Sequence, residues 1–326
     1  MSFIMMDSPR AKFQIDTTAI AEARKLLAPY IRTTPVLPST FDSNVFLKAE
    51  TLQVTGSFKV RTAFSQLLHL SAEAASRGIV TTSSGNFAIA TAYAGHRLRV
   101  STRIVMMRSA NPVKMARTKR WGGEIAPCDD RFEARAEVLA EIVRNEGRTE
   151  IAPYDHPHAV LGSTTLGAEI VEQFPEVENI AVPISGGGLI AGVAVGAKTL
   201  KPRVRVWGVQ PDGSNATYLS FKVRDYRQID KARTIADGLG VTKPGQVTFP
   251  LILQYVDDVV TVSEAAILEA VRHLHEEERL VVEPSGAVTL AAVMHADIPR
   301  RNTVLVLSGG NIAPEVLKQA LEMPTP

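Results

Sequence analysis

The chain has 326 residues, of which 45% are hydrophobic and 21% charged, a composition typical of a globular protein of about two domains. Its 36 basic and 34 acidic residues nearly cancel, which argues against a nucleic-acid or membrane-surface function, because either needs a clustered basic face. Cys128 is the only cysteine, which excludes an internal disulfide and a cysteine-ligated metal cluster.

We expect no secretory signal at the start of this sequence. Residues 1–12 lack the apolar core of a signal peptide, and the chain has no uncharged apolar run of about 18 residues, so we expect a cytoplasmic protein without a membrane span. The basic run 114–120 is interpreted as the solvated face of a helix. The periodicity predicts helices over Thr17–Leu27, Phe58–Leu70, Phe87–His96, Pro112–Trp121 and Arg131–Glu146, and strands over Val45–Glu50, Gly78–Thr82, Arg103–Met107 and Glu124–Pro127.

The alternation continues in the C-terminal half. Residues 211–258 are the least regular stretch, and we expect long loops near the functional site there. Alternating strands and helices imply parallel sheets covered by helices on both faces. Helices are predicted over Gly162–Gln173, Leu189–Lys198, Ser263–Glu278 and Ser285–His295, and strands over Asn179–Ile184, Val204–Val209, Val259–Val262 and Thr303–Leu307.

A glycine triplet follows the predicted strand Asn179–Ile184. In Ser185-Gly186-Gly187-Gly188-Leu189 the backbone N–H groups can turn toward an anion at the start of the next helix, which indicates a phosphate site. The spacing fits neither the P-loop nor the G-x-G-x-x-G dinucleotide pattern. Taken alone, the triplet is equally compatible with a tight structural turn.

Two further polar loops follow predicted strands. Ser83-Ser84-Gly85-Asn86 suits a carboxylate or phosphate at a helix start, although plain N-capping explains it as well. Ser308-Gly309-Gly310-Asn311 follows the last strand, and in open parallel sheets ligands bind beyond the carboxyl ends of strands. Three such loops favour convergence on one ligand over three independent turns.

Lys59 stands in the segment Thr55–Arg61 (TGSFKVR), at the start of a predicted helix. Near a phosphate-binding loop, a lysine can be a simple counter-charge or a Schiff-base lysine, whose amine must be partly desolvated to stay reactive. The local sequence does not choose between these two functions.

Taken together, these segments resemble the fold-type II pyridoxal-phosphate enzymes, specifically the threonine/serine dehydratase and serine racemase group. Lys48-Ala49-Glu50, Gln53 and Thr55–Arg61 look like that family's K-x-E-x-x-Q-x-T/S-G-S-F-K-x-R signature, and the three loops, Ile235–Gly238 and Glu283-Pro284 match further blocks in order. The resemblance covers nearly the whole chain. It implies an α/β fold like that of the tryptophan synthase β-subunit, with two open, twisted, mostly parallel sheets flanked by helices.

The resemblance also implies a role for each matched residue. Lys59 would carry the cofactor as a Schiff base and act as the base at the substrate Cα, and Ser84 would return a proton on the opposite face. The substrate carboxylate would bind the loop formed by Ser83, Ser84, Gly85, Asn86 and Phe87. The cofactor, pyridoxal 5'-phosphate, would be held by Phe58, Lys59, Asn86, Gly186, Gly187, Gly188, Leu189 and Ser308.

The chain departs from the family pattern at several positions. Phe87 and Ile89 stand where His and Gln are common, which favours a bulkier substrate than serine if the two side chains face the pocket; the alternative is that both face the helix core. Tyr154 replaces an Asn that lines the cofactor in some members. Gln210 stands where several members carry an acidic Mg²⁺ or Ca²⁺ ligand, and only Asp212 lies nearby, so we expect no metal site.

The function that the resemblance implies is that of a pyridoxal-phosphate-dependent dehydratase, or ammonia-lyase. It would convert an L-β-hydroxy-α-amino acid of the threonine or serine type, or a bulkier one such as L-threo-phenylserine, to a 2-oxo acid and ammonia by α,β-elimination. A serine or amino-acid racemase and a non-catalytic phosphate-ligand-binding protein are the alternatives. We expect a homodimer that takes a small amino-acid substrate, with residues 1–48 and 155–326 forming a large cofactor-binding domain and residues 49–154 a small domain.

Overall fold

The computed structural model describes residues 15–110 and 112–323. The expected absence of a signal peptide in residues 1–12 therefore lies outside the described residues. Within the described ranges, every helix is too short or too polar to cross a membrane.

The strands of the described residues form two sheets. They are β1 (Val36–Pro38), β2 (Val45–Lys48), β3 (Ile79–Thr82), β4 (Thr102–Met107), β5 (Glu124–Cys128), β6 (Thr149–Glu150), β7 (Asn179–Pro183), β8 (Arg205–Pro211), β9 (Asp258–Val262) and β10 (Thr303–Val306). One sheet has the order β1-β2-β10-β7-β8-β9 and the other β5-β4-β3-β6. Apart from the antiparallel β1–β2 pair, neighbouring strands run parallel.

Helices flank both sheets. They are α1 (Thr17–Leu27), α2 (Lys59–Leu67), α3 (Ala72–Arg77), α4 (Asn86–Leu98), α5 (Pro112–Arg120), α6 (Phe132–Glu146), α7 (Pro157–Gln173), α8 (Gly188–Leu200), α9 (Ala216–Val223), α10 (Thr248–Tyr255), α11 (Glu264–Glu276), α12 (Pro284–His295) and α13 (Pro314–Leu321), with 3-10 turns at Glu50–Leu52, Asp212–Ser214 and Asp237–Leu239. The prediction of two mostly parallel sheets flanked by helices is confirmed.

Local capping explains several helix starts. The Asp16 carboxylate accepts from the backbone N–H of Ala19 at 2.9 Å and begins α1 at the predicted residue. The Ser263 hydroxyl caps α11 in the same way. Each side chain satisfies a backbone N–H that has no partner within its helix, which stabilises the helix by about 1 kcal/mol.

Among the differences from the predicted elements, two concern residues 211–258 and the start of α7. The expectation of long loops in residues 211–258 is wrong in part, because α9 and α10 lie there; each has only eight residues, too few for periodicity to separate a helix from a loop. Helix α7 begins at Pro157, five residues before the predicted start at Gly162. The His156 ring accepts from the backbone N–H of His158 at 3.2 Å, and proline at the first helical position has the right backbone angle.

The parallel order places the polar loops at strand ends. Strands β3, β7 and β10 run into the loops 83–86, 185–189 and 308–311, respectively. Because β7 and β10 pair in parallel, with Leu305 opposite Ala181, two of the loops leave the same edge of the larger sheet.

Candidate active site

Lys59 is the first residue of α2 and its amine is flanked by aromatic rings. Its Nζ donates to the carbonyl of Pro153 at 2.6 Å and lies 5.1 Å from the centroid of the Phe58 ring and 5.6 Å from that of Phe87. Burial lowers the pKa of Lys59 to about 8. The amine therefore loses its proton close to neutral pH, as a nucleophilic lysine requires.

The glycine triplet forms a turn that other residues do not fit. Gly187 has a φ of +102°, and a Cβ added there would lie 2.7 Å from Ile252 Cδ1 and 2.8 Å from Thr248 Oγ1. The Gly186 carbonyl accepts from Thr248 Oγ1 at 2.6 Å and from the Gly245 N–H at 3.1 Å. The turn leads directly into α8, whose N-terminal N–H groups and helix dipole favour an anion.

Tyr154 packs against the glycine triplet. A Cβ added at Gly186 would lie 2.1 Å from Tyr154 Cε2, and one added at Gly188 would lie 2.9 Å from Tyr154 Cβ. Because the preceding residue, Pro153, accepts the hydrogen bond from Lys59, this dipeptide connects the lysine to the triplet.

The loop 83–86 is only partly explained by capping. Ser83 Oγ accepts from the N–H groups of Gly85 and Ala88 at 3.3 and 3.2 Å, so it satisfies an N–H of the first turn of α4 although the N-cap residue itself is Gly85. Ser84 Oγ, by contrast, is buried and has no hydrogen-bond partner among the described residues. An unpaired buried hydroxyl is costly, so its presence favours a loop that receives a polar ligand.

The loop 308–311 contacts the helices of Lys59 and Asn86. The Ser308 carbonyl accepts from the Phe58 N–H at 3.0 Å, and Ser308 Oγ donates to the Ser285 carbonyl at 3.4 Å. Asn311 Nδ2 donates to Asn86 Oδ1 at 2.8 Å. The structure thus brings this loop, the N-terminus of the Lys59 helix and the loop 83–86 close to one another.

Phe87 and Ile89 are both 2% exposed. Ile89 is a core side chain, as the alternative interpretation expected. Phe87 packs in a core cluster with Val60 and Phe64. Its ring also lies next to the Lys59 amine. The ring therefore contributes to the apolar surroundings of the amine.

A buried ion network holds α2 in place. Lys48 Nζ donates to Glu169 Oε1 at 2.6 Å, and Arg61 bonds Glu50 and Glu169 at 2.9 Å each. Arg61 and Lys48 are fully buried. We call these four residues the Arg61 network; it joins the helix that carries Lys59 to β2 and α7.

The interpretation of residues 114–120 as a solvated helix face is wrong for Lys114. Its side chain is only 8% exposed and its Nζ pairs with Asp237, whereas Lys119 is exposed as expected. Arg117 Nη1 donates to Asn311 Oδ1. Neither contact can be inferred from the sequence, because each partner lies more than 100 residues away, on a loop of the larger sheet's side of the molecule.

Gln210, at the position where several members of the resembled family carry a metal ligand, has a structural role. Gln210 is buried; its Oε1 accepts from the Tyr218 N–H at 2.7 Å and its Nε2 donates to the Ile184 carbonyl at 3.4 Å. In the part of the chain that the structure describes, no group of three or more His, Cys, Asp or Glu residues is arranged to hold a metal ion.

Some residues of the site were not predicted from the sequence. The carbonyl of Pro153 and the hydroxyl of Thr248 carry no sequence signal, since any residue supplies a carbonyl and threonine is common. The sequence singles out Glu283 only as part of a matching block, since its burial and its contact with Asn86 depend on tertiary packing.

These features fit pyridoxal 5'-phosphate. A desolvated lysine suits its aldehyde, a glycine turn at a helix N-terminus suits its phosphate, and an asparagine and a buried serine hydroxyl offer polar groups to its ring. The residues that would hold it are Lys59, Gly186, Gly187, Asn86 and Ser308.

Comparisons with known proteins agree with this fit. Residues 27–309 match the family model described as pyridoxal-phosphate dependent enzyme. The chain is 37% identical to the L-threonine ammonia-lyase of Thermotoga maritima (90% of this chain, 75% of the relative) and 37% identical to the serine racemase of Arabidopsis thaliana (94% and 96%). The structure of maize serine racemase superimposes with a TM-score of 0.89 at 35% identity, over 94% of this chain and 96% of that one.

Proposed function

The chain belongs to the pyridoxal-phosphate-dependent enzymes, and from this premise we propose that it is an ammonia-lyase that converts an L-β-hydroxy-α-amino acid to a 2-oxo acid and ammonia. Its cofactor is pyridoxal 5'-phosphate and it is a lyase, which sets aside the alternative of a non-catalytic phosphate-binding protein. The observation that carries the proposal is the buried Lys59 amine, which is bonded to Pro153, the residue before the tyrosine that packs on the glycine turn.

We propose a separate role for each residue of the site. When bound, the cofactor supplies an electron sink that stabilises negative charge at the substrate Cα. We assign Lys59 to removal of the Cα proton, since its pKa near 8 lets the neutral amine accept that proton near neutral pH. The loop of Ser83, Ser84, Gly85, Asn86 and Phe87 would hold the substrate carboxylate. Phe58 and Leu189, both largely buried, would exclude water from the ring.

The substrate side chain is proposed to be larger than that of serine. Two aromatic rings lie within 6 Å of the Lys59 amine, and an apolar wall favours an apolar or aromatic β-substituent. We therefore expect L-threonine and L-threo-phenylserine to give 2-oxo acid faster than L-serine does. Measurement of kcat/KM for the three substrates tests this order, and equal values for serine and phenylserine would contradict it.

Racemisation is a second candidate function, favoured by one observation. Ser84 Oγ is buried and unpaired among the described residues, so it is available to exchange a proton with a ligand. If Ser84 protonates Cα on the face opposite Lys59, D-serine will form from L-serine, and Ser84→Ala will abolish D-serine while 2-oxo acid formation persists. No D-amino acid from a panel of L-substrates would rule out the racemase.

Loss of Lys59 tests the lyase proposal directly. Lys59→Ala should remove the yellow colour that borohydride bleaches and lower kcat by at least about 10³-fold, because both the covalent anchor and the base are lost. Lys119→Ala, at an exposed position of α5, is the matched control and should keep both. Undiminished 2-oxo acid formation by Lys59→Ala would overturn the assignment.

We also propose how the molecule is organised. Residues 1–48 and 155–326 would form the large domain and residues 49–154 the small one, a division supported by the two separate sheets. A homodimer is supported by the family resemblance, and a cytoplasmic location is compatible with the single, buried, free cysteine. Light scattering would measure the mass, and limited proteolysis near residues 49 and 154 would test the boundaries.

A further inference from the structure

Glu283 is a buried carboxyl that none of the roles above uses. It is 2% exposed and precedes α12, but its side chain does not cap that helix. Its Oε1 accepts instead from Asn86 Nδ2. Its backbone N–H donates to the Gly309 carbonyl at 3.0 Å, and a Cβ added at Gly309 would lie 2.2 Å from Oε1. The carboxyl therefore lies directly against the loop that carries Ser308.

Hydrogen bonds fix the Asn86 amide on both sides. Asn86 Oδ1 accepts from Asn311 Nδ2 at 2.8 Å, and Asn311 Oδ1 accepts from Arg117 Nη1. A carboxylate can only accept hydrogen bonds, so an ionised Glu283 requires the Asn86 nitrogen on its side. That nitrogen has two N–H groups and makes no other bond within the described residues, which leaves the second N–H for a ligand.

Glu283 gains or loses its proton near neutral pH. Burial raises the pKa of Glu283 to about 7, and the Asp237 carboxylate raises it as well, while Lys114, the hydrogen bond from Asn86 and Arg117 lower it. Below this pKa the group is a neutral acid and can donate a hydrogen bond. Above it, the group is a carboxylate that only accepts.

We propose that Glu283 is a positioning residue of the cofactor site. As a carboxylate it orients the Asn86 amide so that the free N–H would be available to the bound pyridoxal phosphate. As a neutral acid it accepts more weakly from the Asn86 amide, which is then held firmly only on the Asn311 side, so that hydrogen bond to the cofactor weakens. The proposal concerns the cofactor and not the substrate, so it does not depend on which amino acid the enzyme takes.

The test uses the holoenzyme without substrate. The visible absorption band of the bound cofactor, recorded from about pH 5.5 to pH 9, should change with a midpoint near 7, the pKa of Glu283. Glu283→Gln keeps the shape of the side chain but cannot ionise, so this transition should disappear while a band remains. An unchanged midpoint in Glu283→Gln, or no transition in the wild-type protein, would overturn the proposal.

Two further variants test the proposal independently, in case Glu283→Gln does not fold. Asp237→Asn removes a charge that raises the pKa of Glu283, so the midpoint should fall by about 0.5 pH unit; Lys114→Met removes a cation that lowers it, so the midpoint should rise by about as much. Shifts in these opposite directions support the proposal. Midpoints that stay within about 0.1 unit of wild type in both variants contradict it.

Discussion

At the scale of single residues, the surroundings of Lys59 decide its chemistry. A lysine in water has a pKa of about 10.4 and is almost fully protonated at neutral pH. Burial lowers this pKa to about 8, and the Pro153 carbonyl, a neutral acceptor, holds the amine without adding a charge that would keep it protonated. The pocket therefore provides a nucleophile without a neighbouring base.

Capture of pyridoxal phosphate by the apoprotein should follow the ionisation of Lys59. The neutral amine reacts, so the rate should rise through about pH 8 and level off about one unit above it. Stopped-flow absorbance at a series of pH values measures this rate. A rate that still rises tenfold per unit above about pH 9 would assign an ordinary, solvated lysine instead.

Gly187 should be essential to cofactor binding because of its backbone and its neighbours. Gly187→Ala places a Cβ 2.7 Å from Ile252 Cδ1 at a φ of +102°, so the turn must shift and we expect the Kd for pyridoxal phosphate to rise at least about tenfold. Gly122→Ala is the control, since Gly122 also has a positive φ, +76°, but nothing within 4 Å. Fluorescence titration should show an unchanged Kd for Gly122→Ala.

At the scale of elements, the Arg61 network sets the position of α2 relative to β2 and α7. Burial opposes ionisation of Glu50, yet the Arg61 guanidinium and hydrogen bonds from Arg61 and Thr34 hold the pKa of Glu50 below its usual value. Two buried cations face two buried carboxylates in this network. Because a buried ion needs its partner, loss of any one charge destabilises the arrangement.

Glu169→Gln should therefore lower the free energy of unfolding by about 3–5 kcal/mol, since it leaves Lys48 and Arg61 without one of their carboxylates. Glu172→Gln, on the same helix, breaks the partly exposed pair with Arg24 and should cost less than about 1 kcal/mol. Urea denaturation of both apoproteins measures the difference. Equal losses would mean that the Arg61 network adds no more than a surface pair.

At the scale of the whole molecule, the proposed ligand site combines loops of both sheets. The smaller sheet contributes the loop 83–86, and the larger one contributes the loops 185–189 and 308–311. Contacts such as Lys114 with Asp237 also cross between the two. A cofactor bound there would contact loops of both sheets and would therefore stabilise only the folded arrangement.

Removal of the cofactor should accordingly lower the melting temperature by several degrees. A ligand at 100 times its Kd stabilises the folded state by about 2.7 kcal/mol, so differential scanning calorimetry of apoprotein and holoenzyme should separate them clearly. Gly187→Ala should lose most of the gain at the same cofactor concentration, whereas Gly122→Ala should keep it. A full gain in Gly187→Ala would mean that the triplet does not bind the phosphate.

Much of the fold and several site residues follow from local features of the sequence. Alternating periodicity predicts most strands and helices, because side-chain repeats of 2 and 3.6 residues are properties of the backbone itself. The three polar loops are recognisable in the sequence because glycine, serine and asparagine suit turns and helix starts wherever they occur. Short elements such as β6, with two residues, and α9 carry too few repeats to be predicted.

The sequence by itself determined the alternating α/β pattern and the residue types available for chemistry. Only the tertiary structure decided which of them act together: it set the Lys59 amine against Pro153, paired Lys114 with Asp237 and buried Glu283 beside Asn86. The physical reason is that a pKa depends on desolvation and on charges within a few ångströms. Those neighbours are brought close by packing of the two sheets and lie up to about 200 positions apart in the chain.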